Sequence, residues 1–129
     1  MRKINLSSIA IFFFWACIIA STFVLLMESG PKTQDWPYLD KVQHFVGFGV
    51  LAMIGCFAYP NKKRWLSFGL AFYGVLTEFL QTELTATRTG SFGDWLADIT
   101  GITIAVVVFI CLNKLYVKNT ANLATSAKY

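Results

Sequence analysis

The chain has 129 residues, enough for one domain; 56% are hydrophobic, 14% are charged, and the mean hydropathy is +0.56. A soluble domain of this size carries more polar surface, so the composition points to an integral membrane protein. The formal net charge of +4 does not indicate a nucleic-acid partner, because the basic residues fall in short clusters beside apolar runs, the kind that set membrane topology.

Four windows reach the roughly 20 apolar residues needed to cross a bilayer: 8–27, 40–59, 65–84 and 94–112. Long apolar runs without strand-like alternation exclude a closed β-barrel. The sequence therefore predicts an all-α fold, a four-helix transmembrane bundle. The first span follows Met1-Arg2-Lys3. Its apolar run is longer than the hydrophobic region of a secretory signal, and no small-residue cleavage site follows it, so it reads as a retained helix. It carries no charge and is expected to pack alongside the others as an apolar support. The residues before Cys17, FFWA, are too bulky for a lipoprotein processing site.

The loop ESGPKTQDWPYL has Gly30, Pro31 and Pro37, which break helix, and Trp36 and Tyr38, which suit the headgroup layer. After the second span, PNKKR is a tight turn, so spans two and three form an antiparallel hairpin, with Trp65 at the adjacent interface. The loop TATRTGSFG precedes span four, where Ser91-x-x-Asp94 has the spacing of a capping box. Residues 113–129 read as a polar cytoplasmic tail that frays. Cys17, Cys56 and Cys111 lie inside apolar spans with no CxxC spacing and read as small buried hydrophobes.

Charge sets the orientation. Arg2, Lys3, Lys62, Lys63, Arg64, Lys114, Lys118 and Lys128 fall on one side, against Lys32, Lys41 and Arg88 on the other. The positive-inside rule then puts both termini and the NKKR loop in the cytoplasm. The seven acids, Glu28, Asp35, Asp40, Glu78, Glu83, Asp94 and Asp98, all fall toward the opposite side.

Residues four apart share a helix face. Asp40, His44, Gly47 and Leu51 form one stripe, Glu78, Gln81, Thr82 and Thr85 a second, and Asp94, Asp98, Gly101 and Ala105 a third. Spans two and four also share a spacing, Asp40-x3-His44-x2-Gly47 and Asp94-x3-Asp98-x2-Gly101, so the two patterns lie at equal depth. Polar stripes facing lipid are costly, so the three are expected to face one another in the outer half of a bundle. Gly47, Gly74, Gly101 and Ala105 suit close helix approach. Asp40 and Asp94 sit near helix N-termini, where the dipole favours a carboxylate. His44, Glu78 and Asp98 lie deeper, and no cap explains them. Arg88 is the expected counter-ion, while Lys41 is expected to snorkel to headgroups.

The expected ligand-binding set is Asp40, His44, Glu78, Gln81, Arg88, Asp94 and Asp98. His44 and Glu78 are the candidate acid–base pair should the protein be an enzyme; Ser91 and Thr82 are possible nucleophiles with His44 as base. His44 with two or three carboxylates is a conceivable cation site, but with one histidine, no cysteine ligand and no HExxH spacing the sequence assigns no metal and no cofactor.

Three stretches, DKVQHFVGFGVL, EFLQ and RTGSFGDWLADITG, together resemble the VanZ-like family of small bacterial membrane proteins. Asp40, Lys41, His44, Phe45 and Phe48 match that family's first motif, Glu78 and Gln81 its second, and Arg88, Ser91, Asp94 and Gly101 its third. Asp98 departs from the family pattern, where Asn is commoner, and makes the cluster more acidic. The resemblance covers roughly 40–101 and implies one VanZ-like membrane domain over 1–112, in the bacterial cytoplasmic membrane. The family's founding member is associated with low-level resistance to teicoplanin, a lipoglycopeptide acting at the outer face of that membrane. The implied partners are membrane lipid and an envelope lipid headgroup, lipid-linked saccharide or glycopeptide held at the outer polar cluster. The alternatives are an intramembrane enzyme acting on such a lipid, or an accessory subunit whose buried polar network only sets helix register.

Overall fold

A computed structural model describes residues 6–27, 38–86 and 90–126. Its described residues form four helices: α1 Leu6–Leu26, α2 Leu39–Ala58, α3 Lys63–Leu84 and α4 Phe92–Ser126. α1, α2 and α4 are long and apolar enough to cross a membrane. α3 is as long, at 22 residues, but Lys63, Arg64, Glu78 and Glu83 lie within it and leave it more polar than the other three. The four expected spans are thus four helices, three of them apolar enough to cross by composition alone.

Two boundaries differ instructively from the sequence reading. α3 starts at Lys63, so the turn between α2 and α3 is shorter than the charge run suggests. α4 does not stop at 112 but continues to Ser126, so most of the expected frayed tail is helix. The physical reason lies in the sequence: no Gly or Pro follows Gly101, so nothing interrupts the backbone hydrogen-bond ladder.

α2 and α4 pack side by side in parallel. The pairs Lys41–Asp94, His44–Asp98 and Phe57–Phe109 keep nearly constant register along both helices. Close approach comes from Gly101. A Cβ there would run into the Phe45 carbonyl oxygen and stand 3.1 Å from the Gly49 nitrogen. Gly47, expected at this contact, has nothing within 4 Å of its Cβ position; Gly49, two residues on, faces Gly101 instead. α3 returns antiparallel to α2, with Leu66 against Gly55 and Tyr73 against Phe48.

α1 lies beside α2 and α3. Phe14 packs edge-on against Tyr59, and the Trp15 indole donates to the Tyr59 hydroxyl at 3.1 Å. The Tyr73 hydroxyl lies 2.9 Å from both Ser21 Oγ and Thr22 Oγ1, and Gln81 Nε2 donates to the Leu25 carbonyl at 2.9 Å. The helix is otherwise largely uncovered, with Phe12, Phe13, Ile19, Phe23 and Val24 exposed, as suits an apolar support. The apolar core runs from Phe14 and Leu66 through Phe48, Leu51, Ala52 and Cys56 to Ile102, Ala105 and Phe109. Cys56 is buried as expected; Cys17 is partly covered and Cys111 exposed. Phe68, Phe72, Phe79, Val107 and Val108 point away from the core. Outward apolar side chains around a centre that also holds polar groups suit a lipid solvent.

Candidate functional site

The polar groups gather at the end of the bundle where α2 and α4 begin and α3 finishes. His44, Glu78, Asp94 and Asp98 are each buried, with Asp98 0% and His44 1% exposed. His44 Nδ1 lies 2.9 Å from Asp98 Oδ1 and 3.6 Å from Glu78 Oε1. The imidazole stacks on Phe48, with 9° between the ring planes. A carboxylate on one side and a ring below leave the imidazole little freedom to turn.

Gly74 makes room for Asp98. A Cβ at position 74 would stand 2.8 Å from Asp98 Oδ2. Next to it, the Trp95 indole donates to the Ala71 carbonyl at 3.1 Å and fastens α4 to α3. Thr77, fully buried, donates to the Gly74 carbonyl at 2.9 Å. The buried face of α3 is therefore Gly74, Thr77, Glu78 and Gln81, while Thr82, placed on the expected stripe, is exposed. The spacing 74, 77, 78, 81 is itself a helical face and was the available signal.

The Ser91–Asp94 spacing does not form the reciprocal capping box. Ser91 Oγ accepts from the Gly93 N–H at 3.2 Å, which is an ordinary N-cap, but the Ser91 N–H donates to Glu78 Oε2 at 2.5 Å. Asp94, freed from that role, pairs with Lys41 at 2.7 Å. Lys41 thus turns toward Asp94 across the α2–α4 seam instead of extending to headgroups, although its side chain is 42% exposed. The expected counter-ion, Arg88, lies outside the described residues.

The other sequence candidates are placed as follows. Gln81 is 3% exposed and one turn beyond Glu78, and its amide nitrogen serves α1 through Leu25. Asp40 lies in the first turn of α2, partly covered. Thr82 Oγ1 donates to the Glu78 carbonyl and accepts from the Gly90 N–H, and Ser91 Oγ caps α4. Both hydroxyls are engaged in backbone structure, which weakens their reading as nucleophiles.

Among the described residues, three buried atoms in the cluster have no hydrogen-bond partner: His44 Nε2, Glu78 Oε1 and Asp98 Oδ2. Buried polar atoms are nearly always satisfied, and each exception asks for a cause. His44, Glu78 and Asp94 also bring one potential ligand atom each to within 4.8 Å of one another. A groove of about 430 Å³, lined by Val75, Glu78, Phe79, Ser91, Phe92 and Trp95 among others, reaches Glu78 from the surface.

Comparison with protein-family models, with characterised proteins and with solved structures finds no match to this chain. The geometry of the cluster therefore carries the functional reading.

Proposed function

We propose that this chain is a multi-pass protein of the bacterial cytoplasmic membrane that binds an envelope lipid headgroup, a lipid-linked saccharide or a glycopeptide at its His44–Glu78–Asp98 cluster. In this reading α3 crosses the membrane with the other three helices, its polar face turned inward. Both termini are cytoplasmic, as the basic clusters favour, and the cluster lies in the outer leaflet. The motif resemblance to the VanZ-like family supports the placement and suggests a link to teicoplanin resistance.

The carrying observation is the set of unpartnered buried atoms beside a groove that opens at Glu78. Carboxylate oxygens are acceptors only. They favour a ligand that presents hydroxyls or amines, such as a sugar headgroup, over a bare phosphate. The aromatic faces of Phe92 and Trp95 in the groove wall suit the apolar side of a sugar ring or an acyl chain.

A second reading has its own observation. A histidine held by a buried carboxylate, Asp98 on His44 at 2.9 Å, is the arrangement that orients an imidazole for proton transfer. An intramembrane enzyme acting on the same lipid class would use His44 and Glu78 in this way. The accessory-subunit alternative predicts a sealed cluster with no ligand at all.

Thermal unfolding of the purified chain in detergent separates these readings. Lipid-linked saccharides and teicoplanin would be added in turn, with product analysis alongside. Binding predicts a ligand-dependent rise in Tm for the native chain, absent in Glu78→Gln, without turnover. Product formation that is lost in His44→Ala favours the enzyme. No shift with any of them counts against both.

A further inference from the structure

We infer that His44, Glu78 and Asp94 form a binding site for a divalent transition-metal cation, with Asp98 as the residue that positions the imidazole. The inference goes beyond the headgroup reading and does not depend on it.

The donor geometry comes first. One ligand atom from each of the three residues lies within 4.8 Å of the others. Donors bound to one ion at about 2.0–2.2 Å stand roughly 3–4.4 Å apart, according to the angle between them. The three side chains thus need only small movements to share an ion. They come from three different helices, α2, α3 and α4, so the site exists only in the folded bundle, and no sequence spacing announces it.

Satisfaction of polar groups points the same way. Glu78 is 8% exposed, and its Oε1, the oxygen nearest His44, has no partner. Its second oxygen is held by the Ser91 N–H at 2.5 Å, which fixes the direction of the first. Asp94 gives one oxygen to Lys41 at 2.7 Å, and a carboxylate has a second. His44 is fully buried; its Nδ1 faces Asp98 Oδ1 at 2.9 Å and Glu78 Oε1 at 3.6 Å, while its Nε2 is unpartnered. In the usual carboxylate–histidine–metal arrangement Nε2 is the donor, so the ring must present Nε2 to the Glu78 and Asp94 oxygens while Asp98 holds Nδ1.

Charge adds a third argument. Glu78, Asp94 and Asp98 are buried carboxylates gathered around one imidazole, and among the described residues the one ammonium paired with them, Lys41 on Asp94, belongs to a side chain 42% exposed. Buried carboxylates are strongly disfavoured unless balanced. A divalent cation supplies the balance at the point where the oxygens converge. One imidazole with carboxylates suits Mn²⁺ or Zn²⁺ better than a soft ion, which would need thiolates. The groove at Glu78 provides the entry path.

The test uses the full chain in detergent, stripped with a chelator and dialysed. Mn²⁺ and Zn²⁺ are then titrated separately, with bound Mn²⁺ read by loss of its free-ion paramagnetic resonance signal and bound Zn²⁺ by equilibrium dialysis. The expected result is saturation at a single ion per chain for at least one of the metals. Glu78→Gln and Asp94→Asn should each weaken binding at least about tenfold, while Glu83→Gln, on the exposed side of α3, leaves it unchanged. Lys41→Gln, which releases Asp94 from its ion pair, should tighten binding; it removes no donor, so it remains informative if the other variants misfold. Failure of both metals to saturate the native chain overturns the inference, as does binding that Glu78→Gln, Asp94→Asn and Lys41→Gln all leave unchanged. A chain that binds Mn²⁺ yet no saccharide keeps this site and loses the headgroup reading; the reverse result does the opposite.

Discussion

His44 on α2 and Asp98 on α4 meet at 2.9 Å in the interior of the bundle, each at most 1% exposed. This contact fixes both the rotation and the register of the two parallel helices. A charged or partly charged pair this deep destabilises strongly when one member is removed, because the other is left buried and alone.

Replacing Asp98 therefore separates hydrogen bonding from charge. Asp98→Ala should lower stability by about 3–5 kcal/mol. Asp98→Asn, which keeps an acceptor for the imidazole, should cost roughly 1 kcal/mol. Equilibrium unfolding in mixed micelles measures both. Equal losses would mean that the hydrogen bond is not what holds the helices.

The glycines on α2 and α4 give a paired prediction. Gly101→Ala places a methyl against the Phe45 carbonyl and should destabilise by about 1–3 kcal/mol through overpacking. Gly47→Ala meets open space and should be neutral or stabilise by up to about 1 kcal/mol, since glycine is a poor helix former. Thermal unfolding of the two variants side by side checks the register of the seam.

Lys41 and Asp94 form an ion pair whose lysine side chain is 42% exposed. Solvent screens the ammonium but not Asp94, which is 5% exposed, so Lys41→Gln should cost about 1–3 kcal/mol, and salt should reduce only part of that loss. Unfolding at low and high ionic strength reads this. A loss of several kcal/mol independent of salt would place the pair in a drier setting than the structure gives it.

Gln81 links α3 to α1 through the Leu25 carbonyl at 2.9 Å. Gln81→Leu keeps the bulk and removes the donor, so stability should fall by roughly 1 kcal/mol. The loosened α1 should show faster amide exchange near Leu25 and unchanged exchange in α4, as followed by mass spectrometry. Uniform acceleration across the chain would argue against a local tie.

Much of this organisation is written in periodicity. The helices at 8–27, 40–59 and 65–84 come within a residue or two of the structure because apolar length and the NKKR turn are strong local signals. That His44, Glu78, Asp94 and Asp98 share one level follows from helix rise and direction. What periodicity does not carry is pairing between helices. Lys41 choosing Asp94 over headgroups, and Ser91 giving its N–H to Glu78 over Asp94, depend on rotations and rotamers set by packing. The same limit explains Gly47 and Gly49, since a small shift in helix rotation decides which of them meets Gly101. The extension of α4 was legible from the absence of Gly and Pro after Gly101, but the polarity of the segment masked it.

The central claim is that the cluster is a functional site and not only a joint between helices. The most direct test compares the native chain, His44→Ala and Glu78→Gln in cells that lack the native protein, with the outer envelope permeabilised where one is present. Membrane abundance is measured together with susceptibility to teicoplanin and to envelope stress. The account predicts that Glu78→Gln, which keeps the size of the side chain and an acceptor for the Ser91 N–H, accumulates normally and loses the protective phenotype. A Glu78→Gln chain that accumulates normally and protects as fully as the native one would contradict it.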